Sequence, residues 1–380
     1  MRIVVAPDSY KGSLSAVGVA HAMERGILSV FPTAQVYKIP IADGGEGTVE
    51  ALVTATNGKV LQQTVRGPLG TPVTAHWGIL GDEQTAVIEM AAASGLPLIP
   101  KHERDPRLTS THGTGELIKA ALNQGLRKFI IGIGGSATND GGVGMAQALG
   151  AKFLDSDGQE LSPGGGALAR LAHIDLSGFD PRIAETTIQV ACDVDNPLCG
   201  PRGASAVYGP QKGATPDMVA QLDKSLLHFA GIAAAATGKD IAGQPGAGAA
   251  GGLGAGLLFF TNAALMPGVD IVLTATGFAE IVKNAAFVLT GEGATDFQTA
   301  FGKAPVGVAK IAKQHQVPTL CLSGSLGKGC DDVLQQGIDG LMSIIPRPME
   351  LDECITSAEM LIEQAAARLC HILRTGMQLT

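Results

Sequence analysis

The stretch Val288-Leu-Thr-Gly-Glu-Gly-Ala-Thr-Asp-Phe-Gln-Thr-Ala-Phe-Gly-Lys303 sets the reading of the whole chain. A short apolar strand runs into glycines, carboxylates, threonines and a lysine, and a helix is predicted from Ala304. Strand, loop and helix in that order form half of a parallel βαβ unit. In an open α/β sheet, ligands sit beyond the carboxyl ends of the strands. Glu292, Asp296 and Lys303 are therefore expected at such an edge. Acidic groups beside a lysine and unpaired N–H groups suit a metal-chelated polyphosphate.

Working outward, both ends of the chain read alike. Strand 2–6, helix 14–30, strand 35–41 and helix 46–57 come first. Strand 286–290, helix 304–314, strand 318–323, a short helix at 330–336, strand 339–345 and helix 354–374 come last. Two βα units from the front and three from the back predict a five-stranded, doubly wound parallel sheet of flavodoxin type. The middle differs. Strands at 59–66, 73–80 and 84–90, joined by short turns, predict an antiparallel meander. Helix 113–124, strand 127–133, helix 141–149, strand 187–193, a helical stretch at 215–237 and a glycine-rich loop at 243–256 follow. The expected organisation is a discontinuous domain, 1–59 with 285–380, and an inserted mixed α/β domain, 60–284.

Bulk properties narrow the function classes. The chain has 380 residues, 45% hydrophobic and 16% charged, which describes a folded protein of two domains. A net charge of −8 argues against a broad nucleic-acid or anionic-membrane surface. No apolar run has the length of a membrane span. Six cysteines without a C-x-x-C pair or zinc spacing favour reduced thiols and a cytoplasmic location. The N-terminus opens on a strand, so no signal peptide is expected. The 52 glycines follow no G-X-Y period and gather between strands and helices.

Four further loops carry candidate chemistry. Pro7-Asp8-Ser9-Tyr10-Lys11-Gly12-Ser13 follows the first strand, with Ser13 as the expected helix cap, Asp8 and Lys11 facing the sheet edge, and Asp8 and Ser9 expected to bind substrate. Its plain alternative is a capped turn with a solvated lysine. Ala42-Asp43-Gly44-Gly45-Glu46-Gly47-Thr48 follows the second strand, and its glycines running into a helix N-terminus suit an anion. Asp43 and Glu46 could instead serve only as helix-start acids. Gly132 to Gly142 follows Phe129-Ile-Ile131. Residues 132–137 fit the dinucleotide fingerprint G-x-G-x-x-A, with Asp155 eighteen residues on, but the helix is expected only after Gly142. Gly134, Gly135, Ser136, Thr138 and Asn139 read better as a phosphate cradle, with Asp140 a further polar contact; a tight turn is the alternative. Strand 187–193 ends in Asp193 and Asp195, which share a face if the backbone stays extended. Asp193 is the candidate general base and Asp195 is expected to order the turn. Arg202 and Lys212 then offer cations for a carboxylate or phosphate, or are simply exposed.

Gly246 to Gly256 repeats the glycine fingerprint without a preceding strand and reads as a lid or a close-packing segment. Asp155-Ser-Asp157-Gly158 reads as a β-turn and not a calcium loop. No G-x-x-x-x-G-K-[ST] is present, so a bound nucleotide is not held by a P-loop.

Ser9-Tyr-Lys-Gly-Ser-Leu14, Ala42 to Thr48, Gly134 to Gly142, Gly291-Glu-Gly293, Asp296-Phe-Gln-Thr299 and Gly302-Lys-Ala-Pro305 together resemble bacterial type I glycerate kinases. The match spans the chain and departs at Tyr10, where phenylalanine is common, and at Ala294-Thr295, where a basic residue often follows. The resemblance implies a flavodoxin-like domain with an inserted restriction-endonuclease-like domain. It also implies ATP- and Mg2+-dependent phosphorylation of D-glycerate to 2-phosphoglycerate in carbohydrate acid catabolism.

Phosphoryl transfer requires positioning and charge neutralisation. Glycerate and ATP are accordingly expected to meet in a cleft between the domains. Asp43 and Glu292 are expected to hold Mg2+, with Asp296 sharing the metal or the catalysis. Lys11 and Lys303 would neutralise charge on the transferred group and its nucleotide. Ser136, Thr138 and Asn139 would bind phosphate or glycerate oxygens, and Arg202 or Lys212 the substrate carboxylate. A monomer or homodimer is expected, with no nucleic-acid partner. The alternatives are an NAD(P)-dependent hydroxy-acid oxidoreductase and a non-catalytic sugar-acid sensor.

Overall fold

A computed structural model describes residues 1–379. The strands are β1 (Arg2–Pro7), β2 (Gln35–Lys38), β3 (Lys59–Arg66), β4 (Pro72–Ile79), β5 (Thr85–Glu89), β6 (Lys128–Gly132) and β7 (Lys152–Leu154). They continue with β8 (His173–Asp175), β9 (Thr187–Ala191), β10 (Ala263–Met266), β11 (Phe287–Thr295), β12 (Thr319–Leu326) and β13 (Gly340–Ser343). Two compact units result: Met1–Asp43, Glu50–Asn57 and Val269–Thr380 form the first; Gly44–Val49 and Gly58–Gly268 form the second.

The first unit holds a parallel sheet in the order β13-β12-β11-β1-β2. Renumbered within the unit, this is 2-1-3-4-5, the flavodoxin order expected from the sequence. Ile3, Val4, Val5 and Ala6 are fully buried on both faces of the sheet, as a central parallel strand requires. Burying each Val or Ile contributes ~1.5–3 kcal/mol relative to exposure. One side of the unit is closed by helix Ala16–Val30 against helix Ala358–Leu379. Gly26 permits the approach, since a Cβ there would stand 2.3 Å from the Glu363 carbonyl oxygen. The cap of the first of these helices is Ser15, whose side chain accepts from the Gly18 N–H at 3.3 Å. Ser13, expected in that role, donates instead to the Ile355 carbonyl.

The second unit contains a six-stranded sheet in the order β10-β9-β6-β5-β4-β3. β3, β4 and β5 form the predicted antiparallel meander, and β5, β6, β9 and β10 run parallel. The register aligns Glu89, Gly132, Ala191 and Met266 at one edge. β7, β8 and β10 escape the sequence reading because three or four residues hold too few alternations to register. The glycine-rich 243–256 segment becomes, from Ala249, a helix to Phe260 with left-handed residues at Ala250, Gly251 and Gly252. It is a close-packing element, as one of its two readings held. A Cβ on Gly251 would lie 1.9 Å from the Thr138 carbonyl oxygen. The helix expected at 354–374 is two helices, Leu351–Thr356 and Ala358–Leu379. Residues 269–284, read in sequence as the end of the insertion, group with the first unit.

Candidate active site

In the first unit, the register Pro7↔Gly291 makes Asp8 and Glu292 neighbours at the ends of β1 and the apolar part of β11. The Asp8 N–H donates to the Gly291 carbonyl at 2.8 Å. These two strands flank the switch point of the sheet, where the strand order reverses. Asp8 Oδ1 accepts the Ser9 N–H at 2.6 Å, so the loop turns tightly around its own carboxylate. Burial, then the charges of Asp43 and Glu292, push the Asp8 carboxyl up to about 7. Glu292 is itself buried, and its Oε1 accepts hydroxyl bonds from Thr295 at 3.0 Å and Thr299 at 2.7 Å. Burial raises its carboxyl, and the two hydroxyls partly oppose that. Lys11 reaches Asp43 at 3.9 Å, and Lys303 reaches Asp296 at 4.0 Å. Asp8, Asp43, Glu292, Lys11, Asp296 and Lys303 thus belong to one loop cluster of one sheet.

In the second unit, the loop after β6 is rigidly framed. Ala137 N–H donates to the Ser94 carbonyl, Leu96 N–H to the Gly135 carbonyl, and Gly135 takes φ +73. Thr138 Oγ1 and Asn139 Oδ1 are buried with no hydrogen-bond partner among the described residues, while Asn139 Nδ2 donates to Ser205 Oγ at 3.0 Å. Lys212, read as an exposed or carboxylate-gripping cation, is 2% exposed. Its Nζ donates to Ser136 Oγ and to the Thr138 carbonyl, both at 2.7 Å. Burial draws its ammonium down to about 7.

Several sequence expectations change here. The Gly-rich turn at 44–48 is not an open anion site: the Val49 N–H donates to Glu89 Oε1 at 2.7 Å, and Gly47 and Thr48 N–H groups also face that carboxylate. Glu89 fills the N-terminus of helix Thr48–Thr56 with an internal anion. Asp140 is not a ligand contact. Fully buried, it accepts from Thr111 N and Oγ1, Gly142 N and Gly144 N, tying the start of helix Val143–Ala148 to Thr111. Asp193 and Asp195 do not act as a pair. β9 stops at Ala191, Asp193 Oδ1 accepts the Gly268 N–H at 3.0 Å, and Asp195 binds Arg202 through both oxygens. Arg202 therefore already grips a carboxylate of its own chain. Asp155 orders a turn through the N–H groups of Asp157 and Gln159, as read.

Glu89 and the Thr295–Thr299 hydroxyls are the groups the sequence reading missed. Glu89 left no local signal, because its partners lie forty residues upstream. The threonines stood in the opening motif and could have been found from their i+3 and i+7 spacing to Glu292.

A doubly wound sheet with carboxylates and lysines at its switch point, joined to a mixed α/β unit with a polar glycine-rich loop, defines a two-domain α/β phosphotransferase. A model described as the glycerate kinase family matches residues 3–374. The chain is 56% identical over 366 residues to glycerate kinase of Bacillus subtilis (strain 168), covering 96% of each chain. It is 50% identical over 378 residues to glycerate 2-kinase of Escherichia coli (strain K12), covering 100% of this chain and 99% of that one. A crystal structure assigned as glycerate kinase 2 from Salmonella typhimurium LT2 superposes with TM-score 0.91 at 48% identity, covering 100% of this chain and 99% of that one. The chain belongs to the glycerate kinase family.

Proposed function

We infer that this chain transfers the terminal phosphoryl group of ATP to the 2-hydroxyl of D-glycerate, with Mg2+ accompanying the nucleotide. Family membership supports the substrate class. The observation that carries the chemistry is the crowding of the buried Asp8 by Asp43 and Glu292, a repulsion that a cation relieves.

The donor set fits Mg2+. It is all carboxylate oxygen, and among the described residues no three His, Cys, Asp or Glu side chains converge on a preformed metal position. Mg2+ typically takes one or two protein carboxylates and completes its shell with water and phosphate. Asp43 and Glu292 would hold it, beside Asp8. When bound, the ion supplies charge neutralisation on phosphate oxygens.

The chain's own groups carry the rest. Thr295 and Thr299 fix the direction of Glu292. Lys11 and Lys303 bring mobile positive charge to the same loops, to meet nucleotide phosphates. In the second unit, Ser136 is the oxyanion contact; Gly134, expected in the phosphate cradle, instead packs on its own chain, its N–H donating to the Gly44 carbonyl and a Cβ there standing 2.9 Å from Gly45, and Gly135 faces Ala91. Asp193 is exposed, its direction set by the Gly268 N–H, and it is the group we assign to accept the hydroxyl proton. Both loop clusters are assigned to one reaction.

The dinucleotide alternative loses its site. A pyrophosphate would need the N–H groups that begin helix Val143–Ala148, and Asp140 already takes those of Gly142 and Gly144. Purified protein with ATP, Mg2+ and D-glycerate, with the product identified by phosphorus NMR, should give ADP and 2-phosphoglycerate. ADP release that does not depend on glycerate, or a 3-phosphate product, overturns the assignment.

A further inference from the structure

Lys212 is a buried lysine without an ion pair among the described residues. It projects from the turn Pro210–Lys212, and its Nζ donates to one hydroxyl and one carbonyl of the loop after β6. Among the described residues, the charged side chain acting on it is Asp140, whose oxygens are committed to four donors of Thr111, Gly142 and Gly144. Arg104, from a distant segment, reaches this turn but donates to the Gln211 carbonyl at 3.4 Å. Holding an ammonium there costs more than a neutral side chain of similar volume.

The geometry of the Lys212–Ser136 contact gives that charge a use. An ammonium has three donors and no lone pair, so it cannot accept from Ser136. Nζ at 2.7 Å therefore takes a lone pair of Ser136 Oγ and turns the hydroxyl's own proton away from the lysine. A neutral amine has a lone pair that can accept that proton, so the outward direction of the hydroxyl is no longer enforced. Ser136 is 6% exposed, so the residue keeps a small opening to a ligand. Its backbone is fixed by a bridge to Gly95, and the Thr138 carbonyl is braced by Gly251, where a side chain has no room. Donor direction here is preset, not adaptable.

We propose that Lys212 is a positioning residue which, by donating to Ser136, presents the Ser136 hydroxyl as a hydrogen-bond donor to an oxyanion of a substrate. The inference rests on the phosphotransferase reading for the identity of that oxyanion, a carboxylate of the acceptor or a phosphate of the nucleotide. Because burial places the lysine's titration at about 7, oxyanion binding is strong below neutrality and weakens above it.

Isothermal titration of the full chain from pH 6 to 9 tests this, with D-glycerate in one arm and a non-hydrolysable ATP analogue in the other. For one of the two ligands, wild-type Kd should rise above pH 7 by up to about tenfold and then level off, since no more than the Ser136 bond is lost. Ser136→Ala should weaken that ligand about tenfold at pH 6 and abolish the slope. Lys212→Arg keeps its charge throughout the range and should flatten the slope. Lys212→Met should bind weakly at every pH. Should it fail to fold, Ser136→Ala and the wild-type profile still decide. The arm that responds names the oxyanion. A flat wild-type profile in both arms, or Ser136→Ala with undiminished affinity and slope, overturns the proposal. Such a result beside normal glycerate-dependent ADP release would leave the functional reading standing, whereas absent turnover with a normal slope would strike that reading alone.

Discussion

The loop clusters of the two units are electrostatic opposites. In the first, burial and like charge push Asp8 up to about 7; in the second, burial alone brings Lys212 down to about 7. A carboxyl that resists losing its proton favours a cation, and an ammonium that resists holding one favours an anion. The supports differ too. Glu292 is steered by two hydroxyls a few residues along its own loop, while Lys212 is held by a loop distant in sequence. Phosphoryl transfer needs both kinds of site, one for the metal-bound phosphates and one for substrate oxygens. A binding module has little use for a destabilised acidic cluster.

The sharpest way to break this contrast is to remove the acids. Glu292→Gln keeps the shape and the threonine contacts but loses the charge. Turnover should fall on the order of 10²- to 10³-fold. The Mg2+ concentration for half-maximal rate should rise with it, and far-ultraviolet circular dichroism should stay unchanged. Asp193→Asn should lower kcat comparably while leaving the Mg2+ dependence alone. Near-normal kcat in either variant removes that residue from the role assigned here.

Asp140 sharpens the comparison from the other side, because it is a buried acid with a purely structural task. Asp140→Ala strips four donors of their acceptor, including the N–H groups that start helix Val143–Ala148. The expected loss is ~3 kcal/mol or more of stability, read by urea unfolding. A loss within ~0.5 kcal/mol would mean those donors find other partners.

The two shifted groups also predict opposite pH trends for metal-free protein. Asp8 titrates at 3.8 when unfolded and near 7 when folded, so the folded chain holds the extra proton between those values. Stability should therefore fall as pH rises from about 4 to about 7. Lys212 titrates at 10.5 unfolded and near 7 folded, so the unfolded chain holds the extra proton between those values. Its contribution should make stability rise from about 7 towards 10.5. Urea midpoints for Asp8→Asn should lose the first trend and keep the second. A wild-type profile whose acidic limb is unchanged by Asp8→Asn contradicts the cluster.

Most of the fold was legible because its signals are local. β1, β11 and the β3–β5 meander announce themselves by apolar runs and short turns, and the alternation of strands and helices dictates the parallel order. The first cluster was legible for the same reason: Asp8 and Glu292 each stand at the end of an apolar run. The second was not. Lys212 meets Ser136 across 76 positions, and Glu89 meets Val49 across 40, so neither the buried ammonium nor the filled helix N-terminus leaves a trace in spacing. The Gly246–Gly256 segment left its two readings undecided for a different reason. Its glycines exist to let backbones touch, at Thr138 and Gly141, and such contacts carry no periodicity.

The smallest effect is expected where the sequence promised a large one. Arg202 and Asp195 make a two-oxygen ion pair, but their side chains are 68% and 74% exposed. Water screens such a pair, and the entropy lost in ordering the long arginine side chain offsets most of the attraction. Arg202→Ala should change stability by less than ~1 kcal/mol. The informative readout is kinetic. If the pair only orders the 195–202 loop, KM for D-glycerate and kcat should both stay within about twofold, since nothing that touches substrate has moved. If Arg202 instead exchanges Asp195 for the substrate carboxylate, KM for glycerate should rise tenfold or more with kcat held, and Asp195→Asn should lower KM by releasing the guanidinium. Opposite shifts in those two variants would move Arg202 into the acceptor site beside Ser136, and unchanged KM in both would leave the oxyanion to Ser136 and the lysine behind it.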